Sequence, residues 1–323
     1  MKFNALACVF PGQGSQSLGM LAELARDYSL VGFLFDEVST SVGYDVWRLI
    51  QEGPLDVLNQ TAQTQVAMLA ADVAVFRILE LHVSLSSVTL AGHSLGEYAA
   101  LVCARVLSLT EAAQLVQMRG QLMQETVPLG IGAMAAIVGL SDEAVDTLCI
   151  ESSTLTEVVS PANYNAIGQV VIAGHTSAVD KAVALADARG ARLAKRLPVS
   201  VPCHCALLKP TAVQFADVLK HIDFQLPVQT VISTVDLRRY DAIEQTRTRL
   251  ATQLYSPVRW VETIQWMKSR GILSVIECGP GKVLSGLIKR IDKTLPVISV
   301  NDQVSVAQCL RDLREMEAVG CLK

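Results

Sequence analysis

The stretch SVTLAGHSLGEYAALVCARV, residues 87–106, decides the fold. Its opening, SVTLAG, is a short apolar and β-branched run that predicts a buried strand, and EYAALVCARV predicts a helix. In the turn between them, Ser94 lies between Gly92 and Gly96. Because glycines let neighbouring backbone approach without a Cβ clash, such a turn can project the serine hydroxyl into a cleft at the sheet edge. The stretch therefore predicts an α/β fold with Ser94 as a candidate nucleophile; the alternative is a small-residue turn with a solvated serine.

Strands and helices alternate on both sides of this stretch. LACVF is a continuous apolar run closed by Pro-Gly, typical of a strand in a parallel sheet. Helical spacing follows at 63–82, at 209–222 and in TEAAQLVQMRGQLMQET, where Thr110 is the expected N-cap. The strands TVIST, ILSVIECG and PVISV, with helices around 257–270 and from Lys282, continue the alternation. We therefore predict a large domain with a mostly parallel sheet.

Residues 128–199 have a different pattern. GAMAAIVG, EVVSPANYN, GQVVIAG and ARLAKRLPVS predict four strands. Two helices lie among them, one opened by Ser141 and one ended by Gly190. The resulting order, β-α-β-β-α-β, is the split βαβ motif. We predict that 128–199 form a small domain inserted into a larger one made of 1–127 and 200–323.

Composition narrows the functional classes. The chain has 323 residues, of which 51% are hydrophobic and 18% charged, with a formal net charge of −4 at pH 7. This charge gives no indication of a nucleic acid or an anionic membrane as partner. The eight cysteines are scattered without a CxxC pair, which favours reduced thiols and a cytoplasmic location. We also expect no signal peptide and no membrane span.

A serine nucleophile needs a base, and His204 is the best-placed candidate. It lies in VSVPCHCALLKP, a loop-like stretch where the chain leaves the predicted insert. His93 adjoins the serine, so its side chain should point elsewhere, and His175 is expected to begin a helix. The two remaining histidines, in helical patterns, read as structural or surface residues; they are His82 and His221.

The run Cys203-His204-Cys205 also invites a metal interpretation, which the spacing argues against. Structural zinc sites use four ligands, usually in pairs at CxxC-type spacing. Adjacent residues do not readily converge on one ion, and no second cluster stands elsewhere in the sequence. We therefore expect no metal.

The oxyanion that forms when a serine attacks a carbonyl carbon needs hydrogen-bond donors. Two candidate donors lie directly after predicted strands. One is the backbone N–H of Leu95, directly after the serine, and the other is the glycine-rich turn FPGQGSQ. The turn lacks the Lys-Ser/Thr ending of a P-loop and the full GxGxxG spacing, so a nucleotide site is poorly supported.

Six stretches in order then carry a family resemblance: VFPGQGSQSLGM, GHSLGEYAAL, MRGQLMQ, NYNAIGQVVIAG, VPCHCALLKP and ECGPGKVLSGLIKRI. Together they resemble malonyl-CoA:acyl carrier protein transacylases of type II fatty acid synthesis, and the acyltransferase domains of polyketide synthases. The resemblance covers nearly the whole chain. It implies an α/β-hydrolase-like catalytic domain with a ferredoxin-like small domain inserted, which agrees with the predicted β-α-β-β-α-β order.

The resemblance also implies the catalytic roles. Ser94 is the nucleophile and His204 the base. The oxyanion hole is formed by Gln13 together with the N–H of Leu95. The backbone carbonyl of Gln253, in TQLYSPVRW, takes the place of the usual third carboxylate and orients the histidine.

Substrate contacts are implied in the same way. Arg119 clamps the free carboxylate of the malonyl group, although its helix pattern alone favours a surface arginine. Asn163 and Gln65 line the cleft. Two positions depart from the usual pattern: Cys203 stands where related bacterial enzymes usually have serine, and Val66 where many have proline. Neither removes a catalytic group, and Cys203 could line the acyl pocket.

The expected reaction is ping-pong transfer of malonyl from malonyl-CoA, through Ser94, to the phosphopantetheine thiol of holo-acyl carrier protein. CoA leaves in the first half, and no cofactor is required. Two alternatives stay open from the pattern: a serine hydrolase of the same general fold, and a non-catalytic module that binds carrier protein. Within the transferase class, polyketide assembly and malonate decarboxylation are alternatives to fatty acid synthesis.

Overall fold

The structure is a computed structural model that describes residues 5–128, 130–199 and 201–318. Ser200, in the last strand predicted for the insert, and Cys321 lie outside the described residues. The chain divides into two compact units. The first unit comprises Met1–Gly120, Asp223–Ile243 and Thr263–Lys323, and the second unit comprises Gln121–Ile222 and Glu244–Glu262. The second unit includes the predicted insert, 128–199, and adds flanking segments to it.

The strands, in chain order, have the following bounds: β1 Leu6–Phe10, β2 Thr89–Gly92, β3 Gly132–Val138, β4 Val159–Ala166, β5 Gln169–His175, β6 Leu193–Arg196, β7 Thr230–Ile232, β8 Ser274–Cys278 and β9 Val297–Val300.

The helices, in chain order, have the following bounds: α1 Ala22–Asp27, α2 Ser29–Val42, α3 Val46–Glu52, α4 Leu55–Leu58, α5 Thr61–Glu80, α6 Gly96–Cys103, α7 Leu109–Thr126, α8 Asp142–Ser152, α9 Thr176–Ala188, α10 Lys209–Lys220, α11 Ile243–Gln253, α12 Trp260–Ser269, α13 Val283–Ile291 and α14 Gln303–Ala318.

A parallel sheet forms the centre of the first unit. Its strand order is β7-β2-β1-β8-β9, and every pairing is parallel. All five residues of β1 are buried, as expected for a central strand covered on both faces. β1 and β2 end side by side, with Phe10 opposite Gly92. The carboxyl ends of these two strands therefore meet where the serine turn begins.

The helix α5 is a long apolar helix of this unit. By length and composition it could cross a membrane, but most of it is buried inside the protein. It packs against α6 and β8. Such burial is typical of a central core helix in a folded domain. No other described helix is both long enough and apolar enough to cross a membrane.

An antiparallel sheet forms the centre of the second unit. Its order is β4-β5-β3-β6, and the element order is the predicted β-α-β-β-α-β. Side chains alternate along β3. Ala135 and Ile137 pack with α8 and α9, whereas Met134 faces the other way and packs with Cys205. The protein is thus a mixed α/β fold with a parallel sheet and a separate antiparallel sheet.

Two expectations about helices were wrong or incomplete. Ser108, not Thr110, caps α7: its hydroxyl accepts from the Glu111 N–H at 3.2 Å, and the Glu111 carboxylate accepts from the Ser108 N–H at 3.1 Å. This reciprocal capping box satisfies two backbone donors at once. The sequence reading also missed four helices whose apolar spacing is short or weak: α3, α4, α11 and α14.

Candidate active site

Ser94 stands at the tip of a strained turn between β2 and α6. Its φ is 53°, in the left-handed region that non-glycine residues rarely adopt. The turn is fixed by hydrogen bonds from the His93 N–H to the Phe10 carbonyl, 2.9 Å, and from the Glu97 N–H to the Ser94 carbonyl, 3.1 Å. The hydroxyl is half-buried. This is the backbone geometry that aims a serine side chain away from the sheet it follows.

The two glycines of the turn are required by close backbone packing. A Cβ at Gly92 would lie 1.8 Å from the carbonyl carbon of Gly96, and a Cβ at Gly96 would lie 2.1 Å from the Phe10 carbonyl oxygen. Both distances are far below any real Cβ contact, and the atoms met are backbone. The Gly-x-Ser-x-Gly spacing is therefore a packing requirement as well as a motif.

Arg119, on α7, lies beside this serine and is almost fully buried, with 2% of its surface exposed. Its Nη1 donates to the Gln65 side-chain oxygen at 2.7 Å, and its Nη2 lies 3.4 Å from the Ser94 Oγ. Its guanidinium carbon lies 5.5 Å from the centre of the Tyr98 ring. The structure thus brings Arg119, Gln65 and Ser94 together. A guanidinium held next to a nucleophile can bind an anionic group of the molecule under attack.

Two groups near Ser94 can face an oxyanion. Leu95 is the N-cap of α6, and in the part of the chain that the structure describes its N–H has no hydrogen-bond acceptor. The turn that holds Gln13 lies close to it: a Cβ at Gly12 would be 3.8 Å from the Leu95 nitrogen. Gln13 itself is exposed. Donors at a helix N-terminus favour negative charge, so the arrangement suits a tetrahedral oxyanion.

In the second unit, His204 is held by carbonyl groups. Its Nδ1 lies 2.8 Å from the Gln253 carbonyl oxygen and 3.2 Å from that of Ser256, while its own backbone N–H donates to Leu254 at 3.0 Å. Since carbonyl oxygens only accept, Nδ1 carries the hydrogen and Nε2 has the basic lone pair. The residue is 3% exposed and has a φ of 60°. These are the features of a base whose tautomer and orientation are fixed.

The cysteines on either side of His204 anchor its loop. Both pack with the antiparallel sheet, on the face that carries Met134. The Cys205 thiol donates to the Pro202 carbonyl at 3.3 Å, and burial raises its pKa to about 12. The Cys203 thiol is half-buried and donates to the Val201 carbonyl at 3.6 Å. The two thiols thus anchor the loop on both sides of the histidine.

Asn163 lies in the same unit as His204. It is a buried residue of β4 that pairs with Val171 and forms a bridge with Val258, two residues beyond Ser256. Its neighbour Tyr164 donates its N–H to the Val258 carbonyl at 3.0 Å. The strand therefore supports the segment whose carbonyls hold the histidine.

The other histidines have structural contacts. His82 is bound to the Tyr28 hydroxyl at 3.2 Å, and the His175 Nδ1 accepts from the Val158 N–H at 2.9 Å. His175 is also the N-cap of α9, in line with the expected helix start, and His221 is the exposed C-cap of α10. Among residues 5–128, 130–199 and 201–318, no group of three or more His, Cys, Asp or Glu side chains has the geometry to hold a metal ion.

Some contributors to the site were missed by the sequence reading. Tyr98 contacts Arg119, and Ser256 supplies a second carbonyl to His204. Glu97 is a fully buried carboxylate that accepts from the Tyr240 hydroxyl and from Thr234 Oγ1 at 2.9 Å. The available signal for Glu97 was a charged residue among apolar ones, three residues after the serine. Nothing local indicated the other two.

Known proteins resemble this chain in both sequence and structure. Residues 7–320 match the family model described as the acyl transferase domain. A malonyl CoA-acyl carrier protein transacylase of Haemophilus influenzae is 51% identical over 300 residues, covering 93% of this chain and 96% of the relative. A crystal structure of an acyl carrier protein S-malonyltransferase from Vibrio cholerae has a TM-score of 0.92 at 50% identity, covering 94% and 99% of the two chains.

A further solved structure is a complex. It contains a type II PKS acyl-carrier protein with its malonyl-transacylase, and it matches with a TM-score of 0.92 at 48% identity, covering 95% of this chain and 99% of that one. Identity near one half over almost the full length of each protein exceeds what a shared fold alone would give. The chain therefore belongs to the acyl transferase domain family, and the relatives it matches there are malonyl CoA-acyl carrier protein transacylases.

Proposed function

We propose that the protein transfers the malonyl group of malonyl-CoA to the phosphopantetheine thiol of holo-acyl carrier protein, through a malonyl ester on Ser94. The observation that carries this proposal is the buried Arg119 guanidinium with its Nη2 3.4 Å from the Ser94 Oγ. The substrate of a simple esterase carries no negative charge for a buried cation beside the nucleophile to bind. A malonyl thioester, in contrast, ends in a carboxylate that a planar guanidinium fork can bind. The names of the relatives support the same substrate and acceptor.

The first half-reaction forms the ester. His204 Nε2 takes the proton of the Ser94 hydroxyl as the oxygen attacks the thioester carbon, and the resulting oxyanion is bound by the Leu95 N–H and Gln13. Collapse of this intermediate breaks the carbon–sulfur bond, and the histidine returns the proton to the departing CoA thiolate. The carbonyl oxygens of Gln253 and Ser256 hold the Nδ1 hydrogen throughout, so the imidazole keeps its tautomer.

The second half-reaction reverses the roles. The carrier thiol gives its proton to His204 and attacks the malonyl ester, and the proton passes to the Ser94 oxygen as malonyl-carrier departs. No electrons are gained or lost in either half, so we expect no redox cofactor and no cofactor beyond the CoA substrate.

Substrate choice is assigned to the cluster around Arg119. The guanidinium binds the malonyl carboxylate, and the Gln65 side chain, which accepts from Nη1 at 2.7 Å, keeps the guanidinium in place. An acyl-CoA without a terminal carboxylate leaves the buried cation without its anion and should be a poor substrate. Asn163 is assigned a place along the acyl-binding cleft.

The architecture we propose is the one that the family resemblance implies. Residues 1–127 and 200–323 form an α/β-hydrolase-like catalytic domain, and 128–199 form a ferredoxin-like inserted domain. The sheet order β4-β5-β3-β6 supports the second assignment. These are the second, third, first and fourth strands of a βαββαβ unit. We also propose a cytoplasmic location, in keeping with seven free cysteines among the described residues.

The carrier protein we propose is that of fatty acid synthesis. One structural relative instead binds a type II PKS carrier, and both kinds of carrier present the same thiol. Side-by-side kcat/KM values with the two classes of holo-carrier decide this assignment.

The nucleophile is tested by covalent labelling. Intact protein is incubated with malonyl-CoA and its mass is measured, followed by peptide mapping of the adduct. Wild type and Ser84→Ala, a change at an exposed serine of the same unit, should both gain one malonyl group on the peptide that holds Ser94. Ser94→Ala should gain none, and labelling that persists in this variant would overturn the assignment.

A further inference from the structure

The aromatic ring of Tyr98 covers the guanidinium of Arg119. The Arg119 Cζ lies 5.5 Å from the ring centre, and the tyrosine is fully buried. Tyr98 is also in the first turn of α6, the helix that directly follows Ser94. A cation over an aromatic face away from water is attracted to the ring's electron-rich centre.

The ring is fixed by its helix and by the residue before it. Glu97 is fully buried, and its two carboxylate oxygens accept from the Tyr240 hydroxyl and from Thr234 Oγ1. The first turn of α6 is further tied to the serine turn by the Gly96 N–H, which donates to the His93 carbonyl at 3.1 Å. The position of Tyr98 relative to Ser94 is therefore set by short backbone connections and a buried anchor.

Side chains from two other helices and the serine turn contact the guanidinium of Arg119. Gln65 and Ser94 meet its nitrogens, 2.7 and 3.4 Å away, and the guanidinium carbon lies over the Tyr98 ring. The buried ring therefore limits the positions that the guanidinium can take beside Ser94. A planar fork binds a carboxylate with two parallel hydrogen bonds only when its plane is aligned with the carboxylate.

We propose that Tyr98 is a positioning residue that holds the Arg119 guanidinium in place beside Ser94 and thereby sets the preference of the site for acyl groups that end in a carboxylate. This inference rests on the proposed function, because it assigns Arg119 to the malonyl carboxylate.

The test measures kcat/KM for malonyl-CoA and for acetyl-CoA, which lacks the terminal carboxylate, in matched variants. Tyr98→Phe keeps the ring face and should keep the malonyl-to-acetyl ratio of wild type. Tyr98→Leu removes the face and should lower the ratio about tenfold, through a higher KM for malonyl-CoA and little change with acetyl-CoA. Phe35→Leu is the control for loss of a core ring in the same unit, because Phe35 is fully buried against Trp47; its ratio should be unchanged.

A second series avoids any cavity. Replacement of Tyr98 by phenylalanines with increasing numbers of ring fluorines keeps the shape but weakens the attraction of the ring face for a cation. The ratio should fall stepwise along this series. A flat series, an equal loss with both substrates in Tyr98→Leu, or a fallen ratio in Phe35→Leu would overturn the inference. A wild type that shows no preference for malonyl-CoA would instead contradict the proposed function.

Discussion

At the scale of single residues, the role proposed for Arg119 is what distinguishes this site from that of a hydrolase. Its burial could not be derived from its own helix, whose spacing is compatible with a surface arginine. Gln65 and Tyr98, which enclose it, come from other helices. Only the family resemblance indicated the role. Ser94 was predictable from the sequence, because the strand, the two glycines and the helix that produce its geometry all lie within one short stretch.

Loss of the guanidinium should affect substrate choice more than chemistry. We expect Arg119→Ala to lower kcat/KM for malonyl-CoA about a hundredfold, because a buried hydrogen-bonded charge pair is lost, and to leave acetyl-CoA turnover largely intact. Arg119→Lys, which keeps the charge without the planar fork, should be intermediate. Steady-state kinetics with both substrates measure this, and unchanged malonyl-CoA kinetics in Arg119→Ala would contradict the assigned role.

His204 shows where prediction from a single residue ends. Its place in a loop at the edge of the predicted insert made it a candidate base. Its left-handed φ and the two carbonyls that hold Nδ1 depend on a segment about fifty residues further along the chain. The sequence also offered no acidic partner, and the structure explains why none is needed for orientation: carbonyl oxygens accept the hydrogen instead.

At the scale of elements, the strands were predictable because continuous or alternating apolar runs define them. The helices were less so. The segment that forms α11, IEQTRTRLATQ, is polar on most faces and buries only a few residues, so its spacing gave no signal. The predicted start of α7 differs from the observed one because Thr110 and Ser108 are both residues that cap helices well. Only Ser108 has a glutamate three residues later, which completes the capping box.

The serine turn should not tolerate side chains at its glycines. We expect Gly96→Ala to lower the melting temperature sharply or prevent folding, because its Cβ would lie 2.1 Å from the Phe10 carbonyl oxygen. Gly286→Ala in α13 is the matched control. A Cβ there meets nothing within 4 Å, so the change should be neutral or stabilising by up to about 1 kcal/mol. Thermal unfolding measures both, and equal melting temperatures would contradict this account of the turn.

A buried carboxyl between α5 and the turn after β8 should make stability depend on pH. Asp72 is fully buried, neither side-chain oxygen has a hydrogen-bond partner among the described residues, and a Cβ at Gly279 would lie 2.0 Å from its Oδ1. Burial, and secondarily the charge of Glu277, raises the pKa of Asp72 far above its usual range. The folded protein therefore holds the Asp72 proton to a higher pH than the unfolded chain does.

The sign of the effect follows from proton binding. The unfolded chain releases the Asp72 proton near pH 4, and the folded protein releases it at a higher pH. The free energy of unfolding therefore falls as pH rises between these two points, by at most about 1.4 kcal/mol per pH unit. Asp72→Asn should flatten this decline. Urea unfolding between pH 5 and pH 9 measures the slope, with Asp56→Asn, at an exposed position, as control. An unchanged slope in Asp72→Asn would show that Asp72 does not hold its proton on folding.

At the scale of the whole molecule, the residues with proposed roles are distributed over both compact units. The first carries Ser94, Leu95, Gln13, Arg119 and Gln65, and the second carries His204, Gln253 and Asn163. Element order and the two kinds of sheet were predictable from apolar periodicity and short turns. The grouping of residues from distant segments into one proposed site was not predictable from any local pattern. It was indicated only by the order of six motifs along the chain.

The central claim is that the malonyl ester on Ser94 is attacked by the carrier thiol and not by water. The direct measurement is the lifetime of isolated malonyl-enzyme, followed by intact mass, alone, with apo-carrier protein and with holo-carrier protein. We predict that the adduct persists alone and with apo-carrier, which lacks the thiol, and that holo-carrier removes it within seconds while gaining one malonyl group itself. Release of free malonate at the same rate in all three samples would contradict the transferase account and identify a hydrolase.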